Sequence, residues 1–299
     1  MESTLPFRPA RDLLAAVLAV AAAAAHAQAA PDADDAASAA PIEQRRCGWL
    51  ATHGGDAVLS DRHGDWLIAR AGTPGAGGAW RPGFAPGQSV STADGAVGCA
   101  CLTAQVDLAT HRVVAATAPQ AKPLAACRGD RSLDVPADVR GASAARKTLH
   151  ATSFSVAYPA NWRARAKADC VTLDAPRKAR NEEYTLALCG KPGTLAQAAD
   201  EQVIAPGDDG VWLRTAGMDG PSPVEWMFGP GWDAVVTTQT CGVGDTQTGF
   251  HAGGGTCLMF AASDGRRAVT ADSVGYYQDF GQLREILRSI RFDPVSATK

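Results

Sequence analysis

The chain has 299 residues, with 28 Lys and Arg against 31 Asp and Glu, for a formal net charge of −3. That balance supplies no basic face for a dedicated nucleic-acid binder. The eight cysteines are even in number and all lie beyond residue 45, as an oxidising compartment permits.

Arg8 and Arg11 precede an apolar, alanine-rich run from Leu13 to Ala25, and Ala25-His26-Ala27 offers a small-x-small cleavage site. This pattern predicts a signal peptide over residues 1–27. No comparable apolar run follows, so no transmembrane segment is expected after its removal, and the expected location is periplasmic or secreted. Residues 28–44 hold little apolar bulk and are expected to be a disordered mature N-terminus.

Packing is expected to begin at Cys47-Gly48-Trp49-Leu50. Asp56–Leu59 and Trp66–Ala69 read as strands around a turn at Asp61–Asp65. Residues 71–88 are rich in glycine and proline, which predicts a loop, with Trp80 and Phe84 embedded in it. A further strand carries Cys99 and Cys101, Arg112–Ala115 adds another, and Cys127 closes the unit. No strong helix pattern occurs, so residues 45–130 read as a small mainly-β domain held by disulfides. Side chains two apart on a strand share a face, which makes a direct Cys99–Cys101 bond the least favoured connectivity. The expectation is that both pair with Cys47 and Cys127, in one of two ways.

Within this region Arg46-Cys47-Gly48-Trp49-Leu50, Asp61-Arg62-His63-Gly64-Asp65-Trp66, Gly98-Cys99-Ala100-Cys101-Leu102 and Cys127-Arg128-Gly129-Asp130 resemble a family of small exported bacterial domains of unknown function, over residues 45–133. The resemblance implies a domain type and a compartment. It brings no catalytic residues with it.

Residues 131–149 combine Pro136, Gly141, alanines and basic residues with sparse hydrophobics, and read as a linker. Beyond it, Phe154, Val156 and Tyr158 alternate as a half-buried strand requires. Cys170–Leu173 and Tyr184–Cys189 read as paired strands, as do Ala234–Cys241 and Thr256–Ala261, and Arg267–Val274 adds one more. These strand pairs predict Cys170–Cys189 and Cys241–Cys257 disulfides. Thr194 and Gln197 form a capping-box signal for a short helix. Leu283, Ile286, Leu287 and Ile290 fall on one face of a terminal helix, with Asp279 as its cap. The expected fold is α+β overall: the mainly-β domain, then an α+β domain over residues 150–295 with its C-terminal helix packed on an antiparallel sheet. The Phe-x-Val-x-Tyr-Pro opening and the amphipathic last helix resemble the α/β/α sandwich typified by an extrinsic photosystem II protein. That resemblance implies a noncatalytic binding module.

Neither a zinc-protease His-Glu-x-x-His stretch nor a Gly-x-Ser-x-Gly elbow occurs, and no cofactor or metal is expected. The leading expectation is a noncatalytic exported protein of the cell envelope that binds an envelope protein or cell-wall component. Trp80, Phe84, Trp226 and Phe228 are its candidate contacts, because aromatics in rigid loops make good anchors. Two alternatives are weighed. The first is a periplasmic hydrolase using a histidine–carboxylate pair, His63 with Asp61 or Asp65, or His251. The second is copper or zinc binding through Cys99 and Cys101.

Overall fold

The structure is a computed structural model and describes residues 40–78, 80–92, 95–140, 145–176, 184–215, 220–240, 243–245, 249–251, 256–275 and 280–293. The expected signal peptide, most of the expected disordered N-terminus, Cys241 and the helix cap Asp279 lie outside these residues. The described chain is mainly β and belongs to one compact unit. None of its helices is long and apolar enough to cross a membrane.

The N-terminal half contains β1 (Ile42–His53), β2 (Asp56–Asp61), β3 (Gly64–Ala69), β4 (Gly77–Gly78), β5 (Ser89–Ser91), β6 (Gly95–Asp107), β7 (Arg112–Ala116) and β8 (Gln120–Lys122). β1, β2 and β3 form an antiparallel meander, and β6 pairs with the free edge of β1 along its whole length. β7 pairs antiparallel with β6 and parallel with β3 at Leu67 and Arg112, where the Leu67 N–H donates to the His111 carbonyl at 2.9 Å. The path β1-β2-β3-β7-β6 thereby returns to β1, so the ring closes and its strand edges are used up. The interior takes every second residue: Leu50, Ala57, Leu59, Trp66, Ile68, Ala100, Leu102 and Val106. Gly48 sits at a close crossing, where a Cβ would run into the Ser60 carbonyl. Any larger residue there would push β1 off β2.

The cysteines face outward on this barrel. Cys47 bonds Cys101, its direct partner in the β1–β6 register, and Cys99 bonds Cys127. Cys127 lies on α1 (Leu124–Arg128), which is followed by α2 (Ala137–Arg140). The stretch expected as a linker is therefore partly ordered: Leu133 and Val139 are buried with Trp49, Val97 and Cys99. Both thiols of the Cys-x-Cys pair are consumed by disulfides, which corrects the copper or zinc reading, since a metal would need the thiolates.

The C-terminal half contains β9 (Arg146–His150), β10 (Phe154–Pro159), β11 (Arg163–Lys167), β12 (Cys170–Asp174), β13 (Tyr184–Pro192), α3 (Leu195–Asp200), β14 (Ile204–Pro206), β15 (Trp212–Arg214), β16 (Ser222–Pro223), β17 (Glu225–Gly229), β18 (Trp232–Thr240), β19 (Val243–Asp245), β20 (Gly249–His251), β21 (Thr256–Ser263), β22 (Arg267–Gly275), α4 (Phe280–Arg288) and β23 (Arg291–Phe292). Seven strands form an antiparallel sheet in the order β11-β12-β13-β22-β21-β18-β17. α4 buries Leu283, Ile286 and Leu287 against one face, together with Phe154, Val156 and Tyr158 of β10. Each such side chain contributes about 1.5–3 kcal/mol. α3 has the capping box expected at Thr194 and Gln197 and buries Ala198 and Ala199 against the other face. Cys170 and Cys189 are direct cross-strand partners and are bonded. Cys257 is also in a disulfide.

Replacing Cys170 and Cys189 together by alanine is expected to lower stability by about 3 kcal/mol, the scale for a loop of this length. Urea unfolding followed by circular dichroism checks the value. Non-reducing peptide mapping should recover Cys47–Cys101 and Cys99–Cys127.

Candidate functional site

Three sequence segments that are separate in the chain meet on the barrel. Arg46 donates to Asp61 at 2.8 Å, and its guanidinium lies 3.7 Å from the centre of the Trp66 ring. The Trp66 indole N–H donates to the same Asp61 at 3.1 Å. His111 stacks on the Trp66 ring at 4.0 Å and 7°. An Arg–Trp–His sandwich results, and Trp226 lies beyond it at 6.4 Å from His111. The His111 Nδ1 is 3.1 Å from the Asp65 carbonyl. A carbonyl only accepts, so the neutral ring carries its proton on Nδ1. Burial, with the nearby Arg46 charge adding to it, pushes the His111 pKa down to about 4, against the opposing pull of the Asp65 carbonyl and of the Asp61 and Asp65 charges.

The turn between β2 and β3 does not assemble the expected histidine–carboxylate pair. The His63 main-chain N–H donates to Asp61 at 2.7 Å, while its ring Nε2 accepts from Arg62 at 3.0 Å. Asp65 turns away, is 1% exposed, and accepts from Ser60 at 2.6 Å, from Arg288 at 2.9 Å and from the Phe228 N–H at 3.3 Å. The His63 reading is corrected for that reason: both carboxylates are already held by other donors. The His251 side chain lies outside the described residues.

Trp226 and Phe228 are likewise not loop aromatics. Residues 230–231 form a turn, but residues 225–229 pair with β18 as a strand. Their rings enter an apolar layer with Val58 and Leu67 of the barrel and Val235 and Ala261 of the sheet. Trp80 and Phe84 are half-buried, packed against the barrel core, with Phe84 lying over the bare backbone of Gly98. With Arg81 they line an open groove of about 860 Å³. The structure thus brings Trp80 near Phe84 and Trp226 near Phe228, but not the four together.

The site with the best-formed walls is a cleft of about 630 Å³ where the outer face of the barrel meets α4. Trp49, Ala51, Val58 and Val97 form its barrel wall. Phe228, Pro230 and Pro159 form the opposite one, and Arg146, Glu285 and Arg288 stand between them. Trp49, Ser60 and Asp65 are direct neighbours across β1, β2 and β3, so they form one row on one face. Trp49 is 1% exposed, and among the described residues its indole N–H has no acceptor. Asp56 is engaged by Arg70 and by the N–H groups of Ala71 and Gly231. Glu285 is engaged by Arg140 and Arg146. Mixed apolar walls with a few converging polar groups are the usual make-up of a small-ligand site. Sequence reading missed this cleft, because its two walls come from opposite ends of the chain.

A family described as a protein of unknown function (DUF4087) matches residues 42–134, about a third of the chain. No curated protein matches. A crystal structure from Bacteroides thetaiotaomicron VPI-5482 is matched at 12% identity with a TM-score of 0.32, over 50% of this chain and 48% of that one. The chain therefore spans about half the length of that relative.

Removing the Arg288 guanidinium should leave the Asp65 charge buried without its cation, so Arg288→Ala is expected to cost about 3 kcal/mol in chemical denaturation. His111 gives a pH signature of the opposite origin. Its folded pKa is lowered to about 4, while the unfolded chain titrates near 6.5. The unfolded state therefore takes up the proton first, and stability that is complete above about pH 6.5 falls as pH drops toward 4, by up to about 3 kcal/mol. Stability measured across this range should show that loss in the native chain, and His111→Phe should flatten it.

Proposed function

We propose that this chain is a noncatalytic exported protein of the cell envelope that binds a small ligand, or a segment of an envelope protein or cell-wall component, in the cleft between the barrel and α4. The observation that carries this reading is a cleft of about 630 Å³ with apolar walls, lined by Trp49, whose buried indole N–H has no acceptor among the described residues. An unpaired buried donor costs about 1–3 kcal/mol, a cost that an occupant accepting from it removes. Export is supported by intrachain disulfides, among them Cys47–Cys101, Cys99–Cys127 and Cys170–Cys189, and by the leader pattern, in a compartment where such bonds persist.

The family match ending at 134 supports reading residues 45–130 as a module with its own origin, joined to an α+β domain over 150–295. The likeness of that second part to the photosystem II extrinsic-protein sandwich points the same way, toward binding. Trp80 and Phe84, at the rim of the open groove, are proposed as a secondary contact.

Ala51→Trp fills the cleft from a half-exposed wall position. The purified mature protein, incubated with a bacterial envelope extract, is expected to retain a bound component by native mass spectrometry, and Ala51→Trp to lose it with an unchanged circular dichroism spectrum. An added mass that persists in the filled variant would place binding elsewhere.

A further inference from the structure

We propose that the cleft selects an amphipathic organic anion, with its oxyanion head at the Trp49–Arg288 end of the row and its apolar body along Ala51, Val58 and Phe228. The proposal rests on the reading of the cleft as a binding site and adds the chemical class of its occupant. Its basis is an imbalance between donors and acceptors.

Three of the four acids that line the cleft are already engaged. Asp65 accepts from Ser60, Arg288 and the Phe228 N–H. Asp56 accepts from Arg70, Ala71 and Gly231. Glu285 lies between Arg140 and Arg146. Asp138 stands exposed at the mouth, where water solvates it. The donors are in the reverse condition. The Trp49 N–H has no acceptor among the described residues. Among those residues Arg288 makes a single side-chain hydrogen bond, to Asp65, although a guanidinium has five N–H donors in a fixed fork. Arg146 donates to the carbonyls of Ala157 at 2.8 Å and Glu285 at 3.4 Å, and its nearest carboxylate oxygen, on Glu285, is 3.6 Å away. Burial also lowers the Arg146 pKa from its ordinary value, against the opposing pull of the Asp138 charge, and a further anion would relieve what remains of that cost.

Trp49, Arg146 and Arg288 all line the same cleft. Trp49 neighbours Ser60, Ser60 neighbours Asp65, and Arg288 closes on Asp65. Adjacent members of such a row stand about 5 Å apart. A carboxylate or phosphate has several acceptor oxygens and binds guanidinium with two parallel hydrogen bonds. A neutral head with fewer acceptor oxygens would leave the spare guanidinium N–H donors unmatched, and a cation would meet Arg146, Arg288 and Arg291 across the same space, where the lining carboxylates other than Asp138 already have cations.

The test uses the intact mature protein with ¹⁵N-labelled indole groups. The Trp49 N–H resonance is identified by its loss in Trp49→Phe. Octanoate, octyl phosphate, 1-octanol and octylammonium are then titrated separately at equal concentrations. Octanoate and octyl phosphate are expected to shift the Trp49 resonance, the stronger of the two naming the head group. Octanol is expected to need at least ten-fold more. Arg146→Gln should weaken the octanoate response ten-fold or more, and Arg146→Lys should restore part of it. Equal or stronger shifts with octanol or octylammonium would overturn the anion assignment while leaving the cleft a binding site. Silence of the Trp49 resonance toward all four probes, with an envelope component still lost on Ala51→Trp, would also overturn the assignment alone. The same silence with no envelope component bound would remove both readings.

Discussion

Asp65 is the group on which the arrangement depends. It leaves the barrel from the start of β3, is buried, and is met from three directions by Ser60, Arg288 and the Phe228 N–H. A buried carboxylate is tolerated only with such a set of partners. Satisfying it brings three elements together: the meander it belongs to, the edge strand β17, and the terminal helix α4. Once α4 is drawn to the barrel, the space left between them is the cleft.

A second polar anchor fixes the other end of the same seam. Arg70 donates to Asp56 at 2.8 Å, to the Gly229 carbonyl at 2.6 Å and to the Trp232 carbonyl at 3.0 Å, and Arg112 joins it on Asp233. Val58, Leu67, Trp226 and Phe228 fill the layer between the two anchors. The apolar layer supplies most of the attraction, since burial is non-directional. The ion pairs set the register, because a buried charge left without its partner is costly. The Arg46–Trp66–His111 sandwich stands beside this seam, and its neutral histidine makes the region sensitive to acid.

The motifs that identify the N-terminal half are structural in the first instance. In Arg46-Cys47-Gly48-Trp49, the arginine caps Trp66, the cysteine ties β1 to β6, and the glycine permits the crossing with β2. In Asp61-Arg62-His63-Gly64-Asp65-Trp66, Gly64 takes a φ of +102° to turn the hairpin and lies close beneath β17, where a Cβ would stand 3.2 Å from the Trp226 carbonyl. Trp49 is the exception. Its ring is part of the core, while its N–H has no acceptor among the described residues.

Local pattern was enough to determine much of this protein. Alternation at Phe154, Val156 and Tyr158 marked a strand, Thr194 and Gln197 marked a helix start, and Leu283, Ile286 and Leu287 marked the buried face of α4. Spacing along strands made a Cys99–Cys101 bond the least favoured connectivity and paired Cys170 with Cys189. Each of these signals is short in range: a period of two or of 3.6 residues, or a cap three residues away. Tertiary structure alone decided which carboxylate meets which cation. Asp65 and Arg288 are 223 residues apart, and no periodicity links them. It also turned Trp226 and Phe228 inward, chose Cys47 rather than Cys127 for Cys101 through the β1–β6 register, and brought His111 rather than His63 onto Trp66. The cleft belongs to this second class, since each wall read alone is an ordinary strand or helix face, and a cavity exists only where two such faces fail to meet completely.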